Sequence, residues 1–230
     1  MSFRKLLLRL AVRTTIWLGL MALLMFSAAG DWRWTQGWVF IAIFALGSVG
    51  FGAWLAKRDP ALLAARLEGL AQRGQPLWDR VFLASFMILW LAWLALMALD
   101  ARRWRRSDMP VSINILGALL VITGFLATMV VFRENSFAAP VVRLQSERNQ
   151  RVIDTGPYAY VRHPMYAGAL LYLIGMPLLL GSVYGLLLVP AFVVGISVRA
   201  VFEERLLQRD LPGYAAYMKR VRYRLIPKLW

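Results

Sequence analysis

Long apolar blocks constrain this chain more than any other feature. Runs at about 14–30, 36–56, 81–99, 111–132 and 167–202 are almost free of charge. A helix of about 20 apolar residues crosses a bilayer core of ~30 Å. Within that core only helices and closed barrels satisfy their own backbone. The first four runs fit one crossing each. The fifth is too long: at ~1.5 Å per residue a single helix would overshoot the bilayer. It also contains Gly175-Met176-Pro177, Gly181-Ser182 and Tyr184-Gly185, all helix-weakening. It reads as a helical hairpin, roughly 164–181 and 184–208, with Pro190 kinking the return arm. The expected fold is an all-α integral membrane bundle of about five to six transmembrane segments, the last two a hairpin.

Charge supports that reading. The net charge is +15, which in a soluble chain would raise the question of nucleic acid. Here Lys and Arg flank apolar runs and no recognition module accompanies them, so topology and anionic lipid headgroups are the expected partners, not nucleic acid. With the N-terminus placed in the cytoplasm, Lys and Arg concentrate on the inner side, at positions 4–13, 57–80, 133–165 and 199–228. Arg33 and the arginines of 102–106 fall outside, and the latter break the rule locally. The first 30 residues have the basic start and small-residue end of a signal peptide. Because four apolar blocks follow, the segment reads as a retained first helix of a protein of the bacterial inner membrane.

The chain has no cysteine and one histidine, which argues against disulfides, a cysteine nucleophile and a transition-metal site. The stretch 59–74 suggests an interfacial amphipathic helix, capped by Asp59 with Pro60 at its first position. The basic, aromatic tail 210–230 is expected on the membrane surface or folded back over the cytoplasmic face. Asp31, Asp100 and Asp108 read as structural residues of outer loops.

The densest turn chemistry is TGPYAYVRHPMYAG, residues 155–168. It holds the single histidine, His163, at the start of the hairpin. Pro164 suits the first position of a helix and pushes His163 out of the α region. The N–H groups of Met165, Tyr166 and Ala167 would then lie in an unpaired first turn, beside Arg162, and attract an anion. The return arm brings Arg199, Glu203 and Glu204 back to the same face, Arg199 and Glu203 being four apart. A site with an anion-binding end and acidic groups nearby suits a zwitterion with an amino-acid head.

In order, RENSF (133–137), GPYAYVRHPMYAG, an apolar hairpin, EERLL and LPGYAAYMKRVRYRLIP resemble the C-terminal half of the isoprenylcysteine carboxyl methyltransferases. That family belongs to a wider group of membrane methyltransferases that includes phospholipid N-methyltransferases. The resemblance covers about 133–230, dividing the chain into transmembrane helices 1–132 and a methyltransferase-like region 133–230. It implies S-adenosylmethionine as cofactor, held at the cytoplasmic surface, with a lipophilic small molecule or lipid as acceptor. It assigns cofactor contacts to Gly156, Pro157, Tyr158, His163, Pro164, Tyr166, Glu203 and Glu204, and places Tyr214 and Tyr217 on the family's tail motif. No metal is implied, since the sulfonium methyl is already activated. A carboxylate acceptor would need only an arginine, such as Arg133 or Arg162, to hold it. An amine would need a base, such as Glu134 or Glu203. Asn135 sits where the family often has a polar residue before Phe. Two other classes compete: an NADPH-dependent membrane reductase of the sterol type, and a non-enzymatic transporter or sensor. The near absence of mid-span charge argues against the transporter.

Overall fold

The computed structural model describes residues 3–230. Five helices are long and apolar enough to cross a membrane. They are α1 (Phe3–Ala29), α2 (Thr35–Arg58), α4 (Leu77–Ala98, prolonged by a π-helical turn Leu99–Trp104), α5 (Val111–Glu134), and the pair α7 (Val183–Leu187) with α8 (Val189–Asp210). Short helices α3 (Pro60–Arg66) and α9 (Tyr214–Arg220) lie outside the spans. The shorter apolar helix α6 (Pro164–Leu180) is the outbound arm of the hairpin.

The hairpin forms where glycine and proline chemistry predicts it. Gly181 ends α6 in the left-handed region at φ 79°, a conformation glycine adopts without penalty. Ser182 starts the return, its hydroxyl accepting from Gly185 N at 2.9 Å. Pro190 sits in the first turn of α8, after a break at Leu188. The GMP sequence does not break α6; Pro177 lies inside the helix.

α5 and α6 pack most closely. A Cβ on Gly175 of α6 would sit 2.8 Å from the Gly117 carbonyl of α5, so the two backbones approach as only glycine allows. Asn114 reinforces the crossing by donating to Leu178 O at 2.9 Å. Buried residues from α1, α2, α4, α5, α6 and α8 form one core that includes Met21, Phe40, Trp93, Val121, Met176 and Phe192. The chain on either side of 132/133 therefore shares a single interior, and α5 runs straight through that point.

The stretch at 59–74 differs from expectation. Asp59 caps α3 as anticipated, accepting from Leu62 N at 2.9 Å, but the helix ends at Arg66. The Gln72 side-chain amide donates to Ala65 O and Gly69 O, both at 3.1 Å, taking a carbonyl that a longer helix would use. Leu62 and Leu63 are buried with Leu6, Leu55 and Phe132 instead of resting on lipid.

One end of the bundle collects the start of α1, the end of α2, the start of α4, the end of α5, the start of α6 and the end of α8. Most of the Lys and Arg lie here, and it is called the basic end below.

A candidate active site at the basic end of the bundle

The connection from α5 to α6, residues 135–163, contains only two short 3-10 turns, Ser146–Arg148 and Gly156–Ala159. A connection this long without its own helices is typically functional. It folds over the basic end and forms a cleft with the start of α6, the end of α8 and the tail.

The tail closes back on the RHP turn. Arg162 N donates to Tyr223 O and His163 N to Arg224 O, each at 2.9 Å. The Arg162 guanidinium donates to Val221 O at 2.7 Å and to Arg222 O at 2.8 Å, and pairs with Glu204 at 2.6 Å. Arg224 reaches the other Glu204 oxygen at 2.9 Å, and His163 Nε2 lies 3.2 Å from Glu204 Oε1. Glu204 is only 3% exposed, so its burial is compensated by two guanidiniums and an imidazole. It clamps turn, helix and tail together, and it does not line the cleft.

Its neighbour Glu203 does line the cleft. Consecutive helical residues point about 100° apart, and Glu203 turns toward α6. It accepts from Tyr166 Oη at 2.6 Å, with His163 Nδ1 at 4.0 Å. The His163 and Tyr166 rings stack at 5.3 Å, fixing both groups beside the carboxylate.

Arg199 and Glu203 share a helix face but form no ion pair among the described residues. Arg199 pairs with Asp79 at 3.0 Å and donates to Pro140 O at 2.8 Å. Asp79, at 0% exposure, also accepts from Gln75 Nε2 at 2.7 Å and from Val142 N at 2.9 Å. This buried network ties α4, α8 and the 137–143 wall of the cleft into one unit.

Asn135, Tyr158, Arg162, His163, Tyr166 and Glu203 come together in the cleft wall. Asn135 Nδ2 donates to Tyr158 Oη at 2.7 Å, and Tyr217 Oη donates to Tyr158 O at 2.8 Å. The other candidates stand outside the lining. Arg133 is exposed at the end of α5. Glu134 accepts from Thr155 Oγ1 at 3.0 Å and packs beneath Gly156, whose φ of 56° and lack of Cβ permit the close approach. Pro157 and Pro164 set backbone direction at the two turns.

The expected anion-binding end also differs. Tyr166 N and Ala167 N both donate to His163 O at 3.1 Å, and the Arg162 guanidinium is held by Glu204 and by the Val221 and Arg222 carbonyls. The cation left free at the cleft is Arg151, exposed and without an ion pair among the described residues. Burial pushes the phenols of Tyr158, Tyr214 and Tyr217 well above their ordinary range, so all three remain protonated donors.

Reasoning from sequence missed Asp79, Arg151 and the 137–143 wall. Asp79 carried a signal: it opens an apolar run, as Glu203 and Glu204 close one. Of the wall segment, Phe137 closes the RENSF motif, whereas Val141 and Val142 had no signal beyond their place between two motifs.

No curated protein matches the chain. Residues 112–212, from α5 through the end of α8, match the family model described as phospholipid methyltransferase. The stretch that supplies most of the cleft thus carries the pattern of a family of membrane methyltransferases.

Proposed function

We propose that the protein is an S-adenosylmethionine-dependent methyltransferase acting within the membrane on a lipophilic or membrane-associated acceptor, either isoprenylcysteine-carboxylate-like or phospholipid-like. The observation that carries the reading is Glu203, a carboxylate held by Tyr166 and His163 in a cleft with aromatic walls. The groups present suit this cofactor. Glu203 would accept from an ammonium or from ribose hydroxyls. Phe137, Tyr158 and Tyr214 offer faces for a purine, and Arg151 would take a carboxylate. When bound, the cofactor supplies a methyl group activated by its sulfonium.

The chain's own residues would position and enclose. Tyr166 and His163 hold Glu203 in place. The Asp79–Arg199 network holds the 137–143 wall, whose Ala138, Val141 and Val142 exclude water. Among the described residues Glu203 is the one carboxylate lining the cleft, so an amine acceptor would pass its proton there, whereas a carboxylate acceptor needs no base. The excess of Lys and Arg at this end would set it in the cytoplasm.

Calorimetric titration in mild detergent tests the reading. S-adenosylmethionine should bind saturably and NADPH should not, and Glu203→Gln and His163→Ala should each weaken binding at least ~10-fold, about 1.4 kcal/mol. Methyl transfer into a membrane lipid extract should follow. Binding of NADPH alone would select the reductase. Binding of neither by folded protein would overturn the enzyme reading.

A further inference from the structure

A second chamber adjoins the cleft and opens between α1, α2, α5 and α6. Leu10 and Trp17 of α1, Phe51 and Leu55 of α2, and Phe125 and Phe132 of α5 give it apolar walls. From Phe132 to Phe125 it runs ~10 Å down the bundle at 1.5 Å per residue. At its basic end stands Arg66. The guanidinium lies 4.3 Å from the Phe132 ring centroid, and Nη1 donates to Ala138 O at 2.8 Å.

Arg66, half-buried, differs from the buried arginines of this end. Arg162 and Arg199 each face a buried carboxylate. Arg66 has no carboxylate within ion-pair distance among the described residues. Burial lowers its pKa to about 10, so the group keeps its charge at neutral pH. Half-buried and with no carboxylate beside it, this cation is open to an anionic ligand. Here it stands at the mouth of an apolar slot long enough for part of an alkyl chain.

We propose that this chamber binds an anionic amphiphile, its apolar chain between α1, α2 and α5 and its acidic head on Arg66. The shared chemistry is a carboxylate or phosphate on a long hydrocarbon chain. Arg66 and most of the walls lie outside residues 112–212, so the family match does not account for the chamber. Two features join it to the cleft. Met165 lines both spaces, and Ala138, whose carbonyl receives Arg66, lines the cleft. That the amphiphile is also the methyl acceptor rests on the function proposed above; its binding does not.

The test is equilibrium binding of radiolabelled palmitate to the purified full chain in detergent, with hexadecyl phosphate and methyl palmitate as competitors. One saturable site is expected, with methyl palmitate at least ~10-fold weaker than the acid. Stronger competition by hexadecyl phosphate would identify a phospholipid-type head, and stronger binding of palmitate a carboxylate head; either supports the site. Arg66→Met should reduce palmitate to the level of the ester and leave the ester unchanged, while Arg66→Lys should keep the preference for acid. Ser48→Phe, which fills the chamber from α2, should weaken acid and ester alike. Should Arg66→Met fail to fold, the wild-type acid-to-ester ratio and Ser48→Phe decide. Equal affinity for acid and ester in the wild type, or an acid preference that survives Arg66→Met, would overturn the proposal. S-adenosylmethionine titrated into the same samples separates the outcomes, since the cleft can succeed or fail independently of the chamber.

Discussion

The α6–α8 hairpin is tied at both ends by a buried carboxylate, and the two ends are built on different principles. At the basic end Glu204 meets two guanidiniums and an imidazole. At the far end Asp100, 0% exposed on the π-helical turn after α4, meets only neutral donors. The hydroxyls of Ser107 and Ser182 donate to its Oδ2 at 2.6 Å each, and Tyr184 N donates at 3.3 Å. Its Oδ1 is buried without a partner. The four arginines of 102–106 are close in sequence, yet none pairs with it; Arg102 pairs with Asp31. Charge pairing holds the end where a cleft must be kept open beside the clamp. Hydroxyl and backbone dipoles hold the end that is simply closed.

Substitutions can break or sharpen that contrast. The largest effect is expected for Glu204→Gln, which strands Arg162 and Arg224 beside a neutral amide. Removing one partner of a buried ion pair costs about 3–5 kcal/mol, so the denaturation midpoint in detergent should fall steeply. Unchanged stability would show that the clamp is not what holds the tail. Asp100→Ala should cost about 2 kcal/mol by the same assay, because it leaves two buried hydroxyls without their acceptor. Glu203→Gln comes next. It should move stability by less than about 0.5 kcal/mol while weakening cofactor binding as above, which separates adjacent residues into clamp and cleft. Asp100→Asn completes the comparison of the two ends. Its carbonyl oxygen keeps all three hydrogen bonds and its amide takes the place of the unpaired Oδ1. A change within about 1 kcal/mol is expected. A loss as large as that of Glu204→Gln would mean that the charge at Asp100 matters, and the contrast between the ends would fail.

The bundle was legible in the sequence because its signals are local. Apolar run length gave the spans, Gly181-Ser182 the hairpin, and Asp59-Pro60 a helix start. The site was legible down to its segments but not to the roles within them. Glu203 and Glu204 are chemically identical and adjacent. Which one is buried depends on where the tail passes, and that is set by backbone bonds from Arg162 and His163 to residues 223 and 224. The partner of Arg199 is Asp79, 120 positions away, and helical spacing around Arg199 carries no sign of it. The shortened helix at 59–66 has a similar cause: the Gln72 amide, further along the chain, intercepts the Ala65 carbonyl, and no propensity records that.

The closure of the tail on the RHP turn imposes a timetable on biosynthesis. Arg162 cannot find its acceptor on Arg222 until 60 further positions have been translated. At about 5–20 residues per second that delay is roughly 3–12 s. During that interval the spanning helices can already be inserted while Glu204 still lacks Arg224. A chain whose translation stops short of residue 221 would therefore occupy the membrane with its helices in place but without a finished turn. Possession of a working cleft thus certifies that synthesis went past that point.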